Sequence, residues 1–149
     1  MNDQDLKAML YPLTGQWHRF IAKPYKTLLN EHVSPGVFHC MLILQKHGDN
    51  MTMSELARHS QCSKQQMTKL VDKLIENGFA ERISDPDDRR IIRLRLTESG
   101  QGFLTRFWQD ADTYYDSLLG EMTEEEQNDF CQALGTLHRI FTRLEQEQQ

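Results

Sequence analysis

The chain has 149 residues, of which 38% are hydrophobic and 26% charged, and its formal net charge is −5. This balance is ordinary for a globular domain, and no apolar run approaches the ~18 residues that span a bilayer. The segment from Met1 to Asp5 is acidic and lacks the basic-then-apolar order of a secretory signal, so we expect a cytoplasmic protein with no membrane partner.

The first segment shows helical spacing interrupted by prolines. Apolar side chains recur at roughly helical intervals over residues 3–11 and 13–31. Pro12 and Pro24 should start, kink or break this segment.

Two capped helices are predicted next. The Ser34-Pro35 pair predicts a helix start, because serine caps well and proline is favoured at the first helical position. The Gly48-Asp49-Asn50 turn predicts its end. Thr52 and Glu55 then form a capping box, which starts a short helix that reaches about His59.

A turn at residues 60–62 leads to an amphipathic helix. Ser63 and Gln66 form a second capping box, and Gly78 predicts a left-handed C-cap. One apolar stripe identifies the face that should be buried: Met67, Leu70, Val71, Leu74 and Ile75.

The hydrophobic period then changes from 3.6 to 2. Residues 79–83 and 91–96 predict two antiparallel strands, and the polar segment 84–89 predicts the turn between them. Two long helices finish the chain, the first capped by Thr97 and the second by a capping box at Thr123. The expected fold class is therefore mainly α with a small antiparallel β-hairpin (α+β), in the order of a winged helix-turn-helix.

The charge is unevenly distributed along the chain. Residues 58–95 hold nine Lys and Arg against six Asp and Glu, a net charge of +3, and the rest of the chain has a net charge of −8. A basic middle between acidic flanks indicates a local surface for phosphate groups, with chance clustering as the alternative.

Three stretches resemble the signature of the MarR family in order and spacing: Leu70 to Arg82, Asp85 to Arg90, and Leu94 to Gly100. The flanking helices also match the family layout. The resemblance implies a sequence-specific DNA-binding transcriptional regulator, commonly a repressor. Such a protein acts as a homodimer on a pseudo-palindromic operator and responds to a small-molecule effector.

The resemblance also implies two lobes. Residues 1–33 and 98–149 would form a helical dimerisation lobe, and residues 34–97 a winged helix-turn-helix lobe that binds double-stranded DNA. The residues agree, because the terminal helices carry apolar side chains that need a partner surface: Trp17, Phe20, Phe130, Leu134, Leu137, Phe141 and Leu144.

The helix after Ser63 is the candidate for base reading. With its apolar stripe inward, its outer face begins polar and basic and ends acidic, at Asp72 and Glu76. Since phosphates repel carboxylates, this helix should enter the major groove N-terminus first. Ser63 and Lys64 would meet a phosphate. The predicted base contacts are Gln65, Gln66, Thr68 and Lys69. A solvated polar face is the alternative.

The hairpin tip is the candidate for the minor groove. In the family's D-x-R element an Asp holds an Arg that enters that groove, and the resemblance places the pair at Asp88 and Arg90, with Arg89 as a second candidate. A carboxylate two residues from a guanidinium can fix its orientation. The alternative is an ordinary loop ion pair. The remaining hairpin arginines are expected on the hairpin surface or at the DNA backbone: Arg82, Arg93 and Arg95.

The resemblance implies control by a ligand, often an anionic aromatic compound, or by oxidation. Aromatic and histidine side chains could line such a cleft or simply form the core: Trp17, Phe20, Phe38, His39, Phe103 and Phe107. The three cysteines are odd in number and widely spaced, so we expect reduced thiols: Cys40, Cys62 and Cys131. Cys62 falls in the helix-turn-helix turn and would pack as a small hydrophobe.

No catalytic, metal or cofactor site is expected. The sequence lacks a phosphate-binding glycine loop, an H-E-x-x-H motif and a nucleophile elbow, and no two histidines have H-x-x-x-H spacing. A histidine metal site assembled in three dimensions stays open. Two alternatives remain for the function: a redox-responsive regulator of the same fold, and a winged helix that contacts only proteins.

Overall fold

The computed structural model describes residues 2–29, 33–48 and 50–147. The predicted end of the first segment (residues 30 and 31) and the Asp49 of the predicted turn lie outside this range. The chain divides into two compact units, residues 1–111 and 112–149. The elements are α1 (Asp3–Trp17), a π-helical segment (His18–Ala22), α2 (Lys23–Leu28), α3 (Pro35–His47), β1 (Met51–Thr52), α4 (Met53–His59), α5 (Lys64–Glu76), β2 (Ala80–Ser84), β3 (Ile92–Leu96), α6 (Glu98–Gly120) and α7 (Glu124–Glu147).

The N-terminal helix is less interrupted than the prolines predict. Helix α1 runs through Pro12, so the predicted division into 3–11 and 13–31 is wrong at that point. Proline removes one amide donor, and the helix continues on both sides of it. The irregularity comes later, as the π-helical segment, after which Pro24 occupies the first turn of α2.

The core of the first unit is formed by side chains of the predicted apolar stripes. Ser34 caps α3, and Gly48, with φ of +71°, ends it in the left-handed conformation that favours glycine. Helix α5 buries Met67, Val71 and Leu74 of its predicted stripe. The other buried side chains include Phe38, Met41, Leu44, Leu56, Leu94, Leu96, Leu104 and Phe107. The outer face of α5 is left for solvent or a ligand.

The predicted hairpin belongs to a three-stranded antiparallel sheet of order β1-β3-β2. Strands β2 and β3 pair with Ala80 opposite Leu96. The two-residue strand β1 pairs with β3, with buried Met51 opposite buried Leu94. A two-residue strand is too short to show alternation, so the sequence predicts only the hairpin.

The start of α6 packs closely against the segment that follows α5. Thr97 donates its amide N–H to the Phe79 carbonyl at 2.9 Å and its hydroxyl to the Gly78 carbonyl at 2.5 Å. It also caps α6, accepting the Gly100 N–H at 3.1 Å. A Cβ at Gly100 would lie 2.2 Å from the Phe79 carbonyl oxygen, so only glycine permits this approach.

The second unit contains the end of α6 and all of α7. The predicted capping box at Thr123 is present, with Glu126 accepting the Thr123 N–H at 2.8 Å. Gln127 donates to the Leu119 carbonyl at 2.8 Å. No described residue of α7 is buried, and Phe141 is 57% exposed. Among the described residues, no helix is long and apolar enough to cross a membrane.

Candidate nucleic-acid interface

The start of α5 presents its predicted contact residues to solvent. The exposed side chains are Ser63, Lys64, Gln65, Gln66, Thr68 and Lys69. Thr68 donates its hydroxyl to the Lys64 carbonyl at 2.9 Å, which leaves its methyl group and both oxygen lone pairs available. Within the part of the chain that the structure describes, the side chains of Lys64, Gln65 and Lys69 form no hydrogen bond or ion pair. Their donors are therefore available for a ligand.

Gln66 differs from its neighbours because the capping box engages it. Its Oε1 accepts the Ser63 N–H at 3.1 Å and the Ser63 hydroxyl at 3.2 Å. Ser63 in turn accepts the Gln66 N–H at 3.2 Å. The side chain of Gln66 therefore folds back over the helix start, and its amide NH₂ is the part left for a base contact.

The acidic end of α5 is paired with cations. Asp72 lies 3.0 Å from Nη2 of Arg82 on β2, and Glu76 lies 2.7 Å from Nζ of Lys73. On β3, Arg95 pairs with Glu81 at 2.6 Å. These pairs hold Arg82 and Arg95 on the hairpin surface.

The hairpin tip holds one arginine in a fixed orientation. Arg90 donates Nε to Oδ1 of Asp88 at 3.1 Å and Nη2 to Oδ2 at 3.0 Å, and its backbone N–H also bonds Oδ1 at 3.0 Å. The guanidinium and this N–H lower the pKa of Asp88. The Arg90 side chain is nevertheless 91% exposed. Arg89 is exposed and pairs with no described residue.

A buried carboxylate at the base of this loop is a feature that the sequence analysis missed. Asp85 is 7% exposed, and its Oδ1 accepts the backbone N–H groups of Asp87 and Asp88 at 2.8 and 3.0 Å. Its Oδ2 accepts Nε of Arg93 from β3. The Arg93 guanidinium, followed by these two N–H groups, lowers the pKa of Asp85. Asp85 and Arg93 thus hold the loop that carries Arg90.

A cavity of about 230 Å³ lies between α4 and α5. It is lined by Met53, Ser54, Lys64, Met67 and Thr68. Two of these side chains are predicted DNA contacts, so the cavity adds Met53 and Ser54 of α4 to the same face. Neither residue is predicted as a contact from the sequence.

The predicted ligand-binding aromatics fall into two groups. Phe38, Phe103 and Phe107 are buried and pack together, with the Phe38 and Phe107 ring centroids 4.3 Å apart. Tyr25 of α2, which the sequence analysis did not include, packs edge-on to Phe38 and Phe107. The other three candidates are exposed: Trp17, Phe20 and His39.

The cysteines are all free thiols in different surroundings. Cys40 is buried, Cys62 is half-buried in the helix-turn-helix turn, and Cys131 is exposed on α7. Burial raises the pKa of Cys40 to about 11. A thiol that stays protonated is a poor nucleophile.

Two histidine rings lie close together at the C-terminal ends of α3 and α4. The ring centroids of His47 and His59 lie 4.4 Å apart. Partial desolvation, and then the neighbouring His47 and Arg58, lower the pKa of His59. The described residues contain no group of three or more metal-ligating side chains.

A helix-turn-helix whose second helix exposes a polar, basic start, followed by a hairpin with an arginine at its tip, defines a winged helix-turn-helix protein. Residues 33–92 match the MarR family profile. The uncharacterised HTH-type transcriptional regulator YpoP of Bacillus subtilis is 28% identical over 143 residues, covering 96% of this chain and 93% of that protein. The transcriptional repressor YetL of the same organism is 30% identical over 113 residues, covering 75% and 66%.

The fold is also shared with a solved structure. The crystal structure of Streptococcus pneumoniae FabT in complex with DNA superposes with a TM-score of 0.74 at 19% identity, covering 93% of this chain and 99% of that chain. The chain belongs to the MarR family of winged helix-turn-helix transcriptional regulators. It is therefore a DNA-binding regulator and not an enzyme.

Proposed function

We propose that this regulator is a cytoplasmic repressor that binds a pseudo-palindromic operator as a homodimer and is released by a small-molecule ligand. One observation carries the operator proposal: the exposed, basic start of α5 and the oriented, exposed Arg90 belong to the same compact unit. Two relatives support it. FabT has been crystallised with DNA, and YetL is named a repressor.

The start of α5 would enter the major groove. Gln65 and Lys69 project from the face opposite the buried stripe, and their donors and acceptors suit adenine and guanine edges. Thr68 can contact a thymine methyl, and the amide NH₂ of Gln66 can reach a base. Ser63 and Lys64 lie at the positive end of the helix dipole, where a phosphate is favoured.

The hairpin tip would enter the adjacent minor groove. Because Asp88 already holds the Arg90 guanidinium at two points, less side-chain entropy is lost on binding. A narrow, A·T-rich minor groove has a strong negative potential that attracts such a cation. Arg89 would meet the neighbouring phosphates.

The proposed partner of the terminal helices is a second copy of this chain. Helix α1 has no buried described residue, and its apolar side chains are exposed: Leu6, Met9, Leu10, Leu13 and Trp17. Helix α7 likewise exposes Phe141 and Leu144. These faces support a dimerisation lobe of residues 1–33 and 98–149 beside a DNA-binding lobe of residues 34–97. Two-fold symmetry then requires an operator with two half-sites.

The effector is proposed to be a small aromatic compound. Trp17 and Phe20, each 42% exposed, could stack on it, with His39 and the aromatic cluster around Phe38 beside them. For the redox alternative, Cys40 is a poor candidate because burial raises its pKa, and the exposed Cys131 is the accessible thiol. Peroxide treatment that abolished operator binding in the wild type but not in Cys131→Ser would favour that alternative.

The operator proposal is tested by selecting bound duplexes from a random library with the full chain and measuring affinity at several salt concentrations. We expect an enriched inverted repeat and a steep loss of affinity with salt. Arg90→Ala should weaken binding about tenfold or more, as expected for loss of a groove contact.

The matched control is Arg95→Ala, which removes an exposed arginine from an ion pair on the same hairpin. This variant should bind nearly as well as the wild type. Enrichment of no sequence would instead favour a module that contacts only proteins. Wild-type affinity in Arg90→Ala would refute the minor-groove assignment.

A further inference from the structure

Arg93 joins the hairpin loop to the start of the helix-turn-helix. Its Nε donates to Asp85, and its Nη1 donates to the Asn50 carbonyl at 2.8 Å, across 43 residues of sequence. The same Nη1 lies 3.9 Å from Oε2 of Glu55. That carboxylate accepts the Thr52 N–H at 2.7 Å and so caps α4.

Asp85 connects Arg93 to the backbone of the hairpin loop. Its second carboxylate oxygen accepts the N–H groups of Asp87 and Asp88, which fixes the backbone of the loop. The side chain of Asp88 then orients the guanidinium of Arg90. An unbroken series of contacts therefore runs from the cap of α4 through Arg93 to the exposed tip.

Arg93 is poorly placed to contact DNA itself. Its side chain is 23% exposed, compared with 91% for Arg90, and its guanidinium is occupied by protein acceptors. A buried carboxylate such as Asp85 also needs its cation, because an unpaired charge at a buried position is unfavourable. Any effect of Arg93 on operator binding must pass through the loop that it holds.

We propose that Arg93 is a positioning residue for operator recognition: acting through Asp85, it sets the place of the Arg90 guanidinium relative to the base-reading helix. The proposal rests on the proposed minor-groove role of Arg90. Because the series begins at the cap of α4, the hairpin tip and the helix-turn-helix are presented to adjacent grooves as one rigid unit.

The test is a double-mutant cycle on the selected operator, using the full-length protein. Arg93→Lys keeps the positive charge beside Asp85, but an ammonium lacks the planar fork that bonds Asp85 and Asn50 together. We expect this change to weaken binding about fivefold or more in the wild-type background and less than about twofold in the Arg90→Ala background, since coupled residues are not additive. Arg95→Lys, on the same strand, is the control and should have little effect in either background.

A second readout separates positioning from general stability. Replacing the A·T pairs under the hairpin with G·C pairs should weaken the wild type, and this penalty should shrink in Arg93→Lys as it does in Arg90→Ala. Asp85→Asn, which keeps an acceptor for the two loop N–H groups, should show the same coupling. Circular dichroism at the assay temperature checks that each variant is folded.

Equal losses for Arg93→Lys in the two backgrounds, or no loss in either, would overturn the positioning role. If Arg90→Ala alone bound like the wild type, the proposed minor-groove function would fail first, and the role of Arg93 would fail with it. The single and double variants therefore distinguish the two failures.

Discussion

Gly100 is the position where the structure makes the sharpest prediction about stability. Alanine there would place its Cβ 2.2 Å from the Phe79 carbonyl oxygen and 3.1 Å from the Phe79 Cα. These are backbone atoms, so no side chain can rotate away. The start of α6 must move away from the segment that ends α5, and the two hydrogen bonds of Thr97 to that segment must lengthen.

The cost follows from these contacts. Forcing an extra carbon into a packed site costs about 1–3 kcal/mol, and two weakened hydrogen bonds add about 1–3 kcal/mol. The better helix propensity of alanine offsets about 0.5–1 kcal/mol of this loss of stability. We therefore expect Gly100→Ala to lower the free energy of unfolding by about 1–5 kcal/mol. For a chain of this size, each 1 kcal/mol lowers Tm by about 2–4 °C.

The assay is thermal unfolding followed by circular dichroism at one fixed protein concentration. Gly102→Ala is the matched control, because its Cβ would meet only Nη1 of the flexible Arg106 side chain, at 3.6 Å. The control should keep or slightly raise Tm. If Gly100→Ala melted at or above the temperature of Gly102→Ala, the close approach of α6 to Phe79 would be refuted.

Two further predictions concern the helix-turn-helix. Ser63→Ala removes the side-chain cap of α5 and should cost about 1 kcal/mol in chemical denaturation, whereas Ser63→Gly should cost only a few tenths; equal costs would contradict the cap. Because the folded-state pKa of His59 lies below its ordinary 6.5, the unfolded chain takes up the proton first as the pH falls. Stability should therefore decrease on acidification below about pH 7, and His59→Gln should reduce that decrease; a parallel pH profile for the two proteins would contradict the shift.

Local signals explain why so much of the fold could be predicted. The capping boxes predicted at Thr52, Ser63 and Thr123 are all present, since a cap depends on residues three positions apart. The Asp88–Arg90 ion pair is equally local and is also present. Its role in the minor groove remains a prediction.

The features that the sequence missed depend on distant residues. Strand β1 exists because Met51 meets Leu94, 43 positions later. Arg93 shows the same limit: its place in the alternation of β3 predicts a surface cation, although its partners are Asn50 and Asp85. Neither contact produces a periodic pattern in the sequence. The prediction at Pro12 was wrong for a different reason, because a helix can continue through a proline that removes a single amide donor.

The ion pairs also explain how a chain with a net charge of −5 can present a cationic surface. Within residues 58–95, five of the six carboxylates pair with an arginine or lysine of the same segment. Most of those pairs lie on the flank of the hairpin and the far end of α5. The basic side chains that pair with no described carboxylate are Arg58, Lys64, Lys69 and Arg89.

Three of these four cations lie at the two proposed contact points, Lys64 and Lys69 on the start of α5 and Arg89 at the hairpin tip. Most of the net charge of +3 in this segment therefore lies near the groove-facing side chains and is not spread over the lobe. Phosphates attract over about 10 Å at ordinary ionic strength, so they respond mainly to the local excess of positive charge within that distance. Pairing inside the lobe, more than the number of basic residues, therefore determines where this regulator can hold DNA.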